Sequence, residues 1–230
     1  MPRHLYLITG ASRGMGLAMA QQLLSAEHTL LCISRHRNDD LANQARALGC
    51  ALEQWPLDLA HGVQAAARLR QWLAALAANS FASATLISNA GVLPDIAPLS
   101  ASDPLDLAHA LRVGLEAPMV IAATFLAATQ GWGVARKILN ISSGLGRRAM
   151  ASQAAYCAAK AGMDHFTRCL ALDEVLKVNG AKVCSLAPGV IDTDMQLQLR
   201  ETTGSVFPDQ EFFANLKQSA QLTAPADAAR

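Results

Sequence analysis

The 230-residue sequence predicts an α/β fold: one doubly wound parallel sheet with helices on both faces. Three observations predict it. Short β-rich apolar runs alternate with longer helical stretches. Those runs are apolar along most of their length, as strands buried on both faces must be. The first run ends in a glycine-rich turn that opens onto a helix. Hydrophobic residues make up 52% of the chain and charged residues 16%, which excludes a disordered protein.

Taken in order, strands are expected at residues 5–9, 29–34, 51–56, 84–88, 137–142 and 182–187. Helical patterns fall between them at 14–25, 39–48, 62–76, 104–129 and 153–176. Pro118 interrupts the fourth of these and predicts a kink or break there. Near the end, Thr223 is expected to cap a helix with Pro225 in its first turn. No repeat, low-complexity tract or linker divides the chain, so residues 1–230 read as a single domain.

Several function classes are excluded. Lys plus Arg is 19 and Asp plus Glu 18, a net charge of +1, which points to neither nucleic acid nor an anionic membrane. The apolar stretch 118–128 is too short to span a bilayer and contains Thr124. The start, Met1-Pro2-Arg3-His4, runs directly into a strand and leaves no room for a signal-peptide core. Cys32, Cys50, Cys157, Cys169 and Cys184 have no metal-type spacing. They read as buried, reduced thiols of a cytoplasmic protein.

Two local patterns carry chemistry. The first is Thr9-Gly10-Ala11-Ser12-Arg13-Gly14-Met15-Gly16, between the first strand and the first helix. Its glycines give a tight turn and close backbone approach, and the helix N-terminus offers free N–H groups to a pyrophosphate. The second is Tyr156 and Lys160, four residues apart in one helical stretch. That spacing stacks them on one helix face. A fixed ammonium beside a phenol favours the phenolate and would lower the tyrosine pKa from about 10.

Together these motifs resemble the short-chain dehydrogenase/reductase family, over nearly the whole chain. Further family motifs follow in order: Asp58, Asn89-Ala90-Gly91, Ser143 thirteen residues before Tyr156, and Pro188-Gly189 with Thr193. The stretches Leu115-Glu116-Ala117-Pro118-Met119, Ile141-Ser142-Ser143-Gly144 and Asp192-Thr193-Asp194-Met195-Gln196 are similar to the sepiapterin reductase and bacterial benzil reductase branch. The resemblance implies a Rossmann-type sheet, here lacking the family's last helix and strand, and a homodimer paired through helices 104–129 and 153–176. It also implies NADP(H)-dependent reduction of a ketone or diketone.

The residue roles implied are these. Gly10, Ser12, Arg13, Gly14, Met15 and Gly16 would hold the phosphates. Ser34 and Arg35 would sit at the adenosine ribose, where an arginine in place of an acid favours the 2′-phosphate of NADP. Arg13 would be a second cation for that phosphate, while Arg37 reads as a solvated loop charge. Asp58 and Leu59 would contact adenine. Asn89, Ala90 and Gly91 would let the cofactor pass close to the fourth strand. Pro188, Gly189, Ile191 and Thr193 would hold the nicotinamide end, with Thr193 also free to cap the next helix. Tyr156 would be the general acid, Lys160 its partner and a ribose ligand, and Ser143 the donor to the carbonyl oxygen.

One position departs from the family. In Arg112-Val113-Gly114-Leu115, Gly114 stands where an asparagine normally supports a water and the lysine. A lowered but present activity is expected. Gly114 and the end at Arg230 also suggest an alternative, a catalytically weak NADP(H)-binding sensor or regulator. The presence of Ser143, Tyr156 and Lys160 argues against it. Residues 194–222 are expected to form a substrate lid, with Met195, Phe207, Phe212 and Phe213 as candidate lining.

Overall fold

The computed structural model describes residues 2–230. Six parallel strands form one sheet in the order β3-β2-β1-β4-β5-β6. They are β1 (Arg3–Thr9), β2 (His28–Ser34), β3 (Ala51–Pro56), β4 (Phe81–Ser88), β5 (Ala135–Ile141) and β6 (Lys182–Leu186). The helices are α1 (Gly14–Gln22), α2 (Asp39–Ala47), α3 (Gly62–Ala75), α4 (Pro104–Leu111), α5 (Ala117–Thr129) and α6 (Ala154–Val175). After β6 come α7 (Asp194–Glu201), α8 (Gln210–Gln218) and α9 (Pro225–Ala228).

Alternating side chains along each strand build two cores. Leu5, Leu7, Leu31, Ile33 and Leu86 pack against Leu69, Leu73, Ile121 and Phe125 of α3 and α5. Ile8, Leu30, Cys32 and Ile87 pack on the other face against Met15 and Met19 of α1 and Leu41 and Ala45 of α2. Strand order reverses between β1 and β4. In a doubly wound sheet the crevice at that reversal is where ligands bind.

The break expected at Pro118 is a π-helical turn, Arg112–Glu116, between α4 and α5. Proline cannot donate to the carbonyl four residues back. The backbone widens ahead of it, and the Ala117 N–H bonds to the Arg112 carbonyl. Gly114 lies in this turn, and a Cβ there would meet the Ala159 Cβ at 3.1 Å. The helical run 104–132 is thereby long and apolar enough, by length and composition, to cross a membrane. In the fold it is a core helix, packed on α3 through Ile121 and Phe125.

Two expectations need correction. Thr223 does not cap α9, whose N-cap is Ala224. Its backbone instead pairs with the 190–192 segment, through Thr223 N–H to Val190 O and Asp192 N–H to Thr223 O, both 3.0 Å. Nor are all the thiols buried: Cys32 and Cys50 are, but Cys157 is half-buried and Cys169 and Cys184 are exposed.

Candidate active site

One cleft of about 650 Å³ opens at the strand-order reversal. All the catalytic and cofactor-binding residues read from the sequence line it. The first wall is the glycine loop. Gly10 and Gly14 have φ of +71° and +56°, backbone that favours glycine. A Cβ on Gly16 would lie 2.1 Å from the Gly10 carbonyl oxygen and 2.4 Å from Asn89 Nδ2. No side chain caps the N-terminus of α1. This cradle fits a pyrophosphate: a ligand can approach the backbone, and uncapped N–H groups attract anions.

The loop is stapled to the end of β4. Thr9, 3% exposed, accepts the backbone N–H groups of Asn89 and Ala90 at 3.0 Å each. The Asn89 side-chain amide donates to the carbonyls of Thr9 at 3.1 Å and Gly10 at 3.2 Å. Asn89 is therefore committed to holding the loop in shape. Thr9 shares that task, which nothing in the sequence signals.

At the far end, Arg35 is exposed beside the buried Ser34 at the tip of β2. Ser34 Oγ donates to the His36 carbonyl at 2.8 Å. Asp58 accepts the Ala60 N–H at 2.8 Å next to the buried Leu59. Arg37 stands outside this cleft, in a second surface concavity beside Arg46 and Arg68. Arg13 reaches across the mouth and pairs with Asp194 at the start of α7, an exposed contact between residues far apart in sequence.

The opposite end holds Ser143, Tyr156 and Lys160. Ser143 ends the β5 loop, and its Oγ accepts the Leu145 N–H at 3.2 Å. Tyr156 and Lys160 share one face of α6, with the ammonium 5.7 Å from the ring centroid. Lys160 is 4% exposed and donates to the Ile141 carbonyl at 2.7 Å. Burial pushes its pKa down to about 8, with Asp164 opposing. Burial also raises the Tyr156 pKa, partly offset by the Ser143 hydroxyl. The expected depression of the phenol by Lys160 is not what this structure shows: desolvation sets the direction of the shift.

The second wall is α7 and α8. Met195, Leu199 and Phe213 face the cleft. Phe207 does not: it is fully buried beneath, in a cluster with Ile96, Leu199 and Phe213. Phe212 is 46% exposed and also lies off the cleft. Thr193 occupies the N-cap position of α7 but makes no side-chain cap bond. Its Cγ2 would be 3.5 Å from a Cβ on Gly14, so it closes on the glycine loop. His109 and Arg148 also line the cleft. Nothing local in the sequence marks them, because each arrives on an element whose inward face is set by packing.

Residues 4–204 match the family model described as short chain dehydrogenase. The chain is 34% identical to a benzil reductase ((S)-benzoin forming) of Bacillus cereus, covering 95% of this chain and 88% of the relative. It is 30% identical to sepiapterin reductase of Bos taurus, covering 96% and 84%. The crystal structure of the KRED1-Pglu enzyme superposes with a TM-score of 0.82 at 27% identity, covering 98% of this chain and 91% of that one. With this match, a parallel sheet and a glycine-loop cleft at its strand-order reversal, the chain belongs to the short-chain dehydrogenase family of oxidoreductases, which bind NAD(P).

Proposed function

We propose that this protein reduces a ketone or diketone to an alcohol with NADPH. The observation that carries the reading is the convergence of Ser143, Tyr156 and Lys160 with the glycine loop on one cleft. When bound, the nicotinamide supplies the hydride that adds to the carbonyl carbon. The chain's own groups act on the oxygen. Tyr156 gives its proton to that oxygen, and a raised phenol pKa keeps the proton in place at neutral pH. Ser143 Oγ accepts from the Leu145 N–H and offers its own hydrogen toward Tyr156, from where it would donate to the same oxygen when substrate binds. Lys160 keeps a positive charge beside the phenol as the proton leaves, held in direction by its bond to Ile141.

The cofactor form follows from Arg35 at the tip of β2, where no acid stands to bind a ribose hydroxyl. Arg13, Gly14 and Gly16 would hold the phosphates. Asp58 and Leu59 would flank adenine, and Pro188, Gly189, Ile191 and Thr193 the nicotinamide. Residues 194–222 act as the lid of a single domain, with Met195 and Phe213 over the substrate. The benzil reductase relative supports a diketone. Exposed apolar side chains on α4, α5 and α6, among them Leu105, Met119 and Leu172, support pairing of two copies through those helices. The setting we propose is cytoplasmic.

The test is NADPH oxidation with a panel of ketones and diketones that includes benzil. The reading predicts an alcohol product and a clear preference for NADPH over NADH. Arg35→Ala is expected to lower kcat/KM for NADPH about tenfold or more while leaving NADH within about twofold, the loss of a charge-assisted contact. Equal use of both cofactors by the native protein contradicts the assignment.

A further inference from the structure

We propose that Asp164 is a positioning residue for Lys160, a buried carboxylate on the catalytic face of α6 that backs the ammonium from the next turn of the helix. The inference rests on the carbonyl-reductase reading of the site. Tyr156, Lys160 and Asp164 recur every four residues, so they form one stripe along α6.

Asp164 is 6% exposed. Neither of its carboxylate oxygens has a hydrogen-bond partner. A buried carboxylate without partners is costly and calls for a physical reason. Arg147 is the cation at its outer side, with Nε 3.6 Å from Oδ2 and a side chain 65% exposed. The loop before α6 is shaped around this carboxylate. A Cβ on Gly146 would lie 2.8 Å from Asp164 Oδ2 and 2.9 Å from the Lys160 carbonyl oxygen. Only a glycine lets the loop rest there. Asp164 thus sits at the Lys160 turn, sealed from solvent by Gly146 and only partly satisfied by Arg147.

The need it meets is visible in the site. Lys160 is buried, and its hydrogen bond goes to a neutral carbonyl. At Gly114 no side chain backs it from the π turn. A negative charge one turn away offsets the desolvation of the ammonium. Other titratable groups on elements packed against α6 are Arg148 on the β5 loop, Asp106, His109, Arg112 and Glu116 on helix 104–129, and Lys182 and Cys184 on β6. Among the described residues only Arg147 reaches ion-pair distance of Asp164.

The plainer role for the same residue is a clamp on the Arg147 loop, and the two separate cleanly. The experiment is a pH titration of Lys160 by NMR in protein labelled at lysine 13Cε, the resonance assigned by its loss in Lys160→Arg. In Asp164→Asn the midpoint is expected to fall by about one unit, and the basic limb of kcat/KM should move with it. That shift lowers kcat/KM about fivefold at pH 8 and hardly at all at pH 6. Asp164→Glu should recover most of the shift. Arg147→Ala, which removes a competing cation, should raise the midpoint and move the limb alkaline. If Asp164→Asn does not fold, Arg147→Ala alone decides. An unmoved Lys160 midpoint in whichever of these variants folds overturns the proposal in favour of the clamp. The titration needs no turnover, so a native protein that fails to reduce diketones sinks the functional reading without obscuring this one.

Discussion

The two walls of the cleft are built by different means. The glycine-loop wall is backbone: positive φ at Gly10 and Gly14, no room for a Cβ at Gly16, and Thr9 and Asn89 bonding the loop to β4. The α7–α8 wall is side chains. Its helices α7 and α8 hang from the 190–192 and 223 backbone pairing. They rest on a small cluster of Ile96, Leu199, Phe207 and Phe213. Asp192 ties both helices to that backbone pairing, accepting Lys217 Nζ at 2.6 Å and facing Arg200 at 3.5 Å. The Lys217 bond holds the Asp192 carboxyl below its usual range. The difference assigns tasks: a wall with no tolerance suits an invariant ligand part, and one held by a few contacts can be reset for different carbonyl substrates.

The most severe test of this contrast places one methyl group in the glycine loop and one at Gly204, in the exposed turn that joins α7 to α8. Gly16→Ala puts a Cβ inside the Gly10 carbonyl and should weaken NADPH binding at least about 100-fold, with a stability loss of roughly 2–3 kcal/mol. Gly204→Ala, with nothing within 4 Å of its Cβ, should change stability by no more than about 0.5 kcal/mol. Fluorescence titration with NADPH and thermal melts read both. Comparable effects at the two positions contradict the contrast.

The floor between the walls gives the next largest effect. Lys160 has a folded pKa lowered from 10.5 to about 8 by burial. The unfolded chain therefore binds more protons between those values, and stability rises with pH across that window. Below about pH 8 the ammonium costs the fold on the order of 3 kcal/mol relative to a neutral lysine. Lys160→Met should then melt a few degrees higher than the native protein at pH 7, with that advantage shrinking toward pH 10, while activity is lost. A lower melting temperature at pH 7 argues that the ammonium is stabilising after all.

The smallest effect belongs to the Thr223 backbone pairing beneath the proposed lid. Thr223→Pro removes the N–H that bonds the Val190 carbonyl, a loss of about 1 kcal/mol. KM for the diketone should rise about threefold to tenfold with the NADPH dissociation constant unchanged. If both constants move together, the pairing serves the whole cleft rather than the proposed lid.

The same contrast explains what could be read from the sequence. The glycine loop was legible because backbone geometry dictates residue type there, and Gly10, Gly14 and Gly16 are where a side chain fails. That Tyr156, Lys160 and Ser143 share one cleft was legible through spacing on one helix and the loop before it. The lid was not. Which aromatics turn inward depends on how α7 and α8 seat on Ile96, so Phe213 lines the cleft while Phe207 fills the layer beneath and Phe212 faces outward. Pro118 marked a break, but its form as a π turn against Ala159 is a tertiary outcome. The contact of Arg13 with Asp194 joins distant segments and has no local signature. The burial that raises the Tyr156 pKa is equally a property of the packed site.

The central claim is that Tyr156 delivers the proton to a carbonyl in this cleft. Tyr156→Phe keeps the ring and removes only the phenol oxygen. The most direct test is the rate of NADPH oxidation with benzil by this variant, alongside its NADPH dissociation constant. The account predicts a fall in kcat of about 10²–10⁴-fold with cofactor affinity within about threefold of native. A variant that retains native kcat contradicts it.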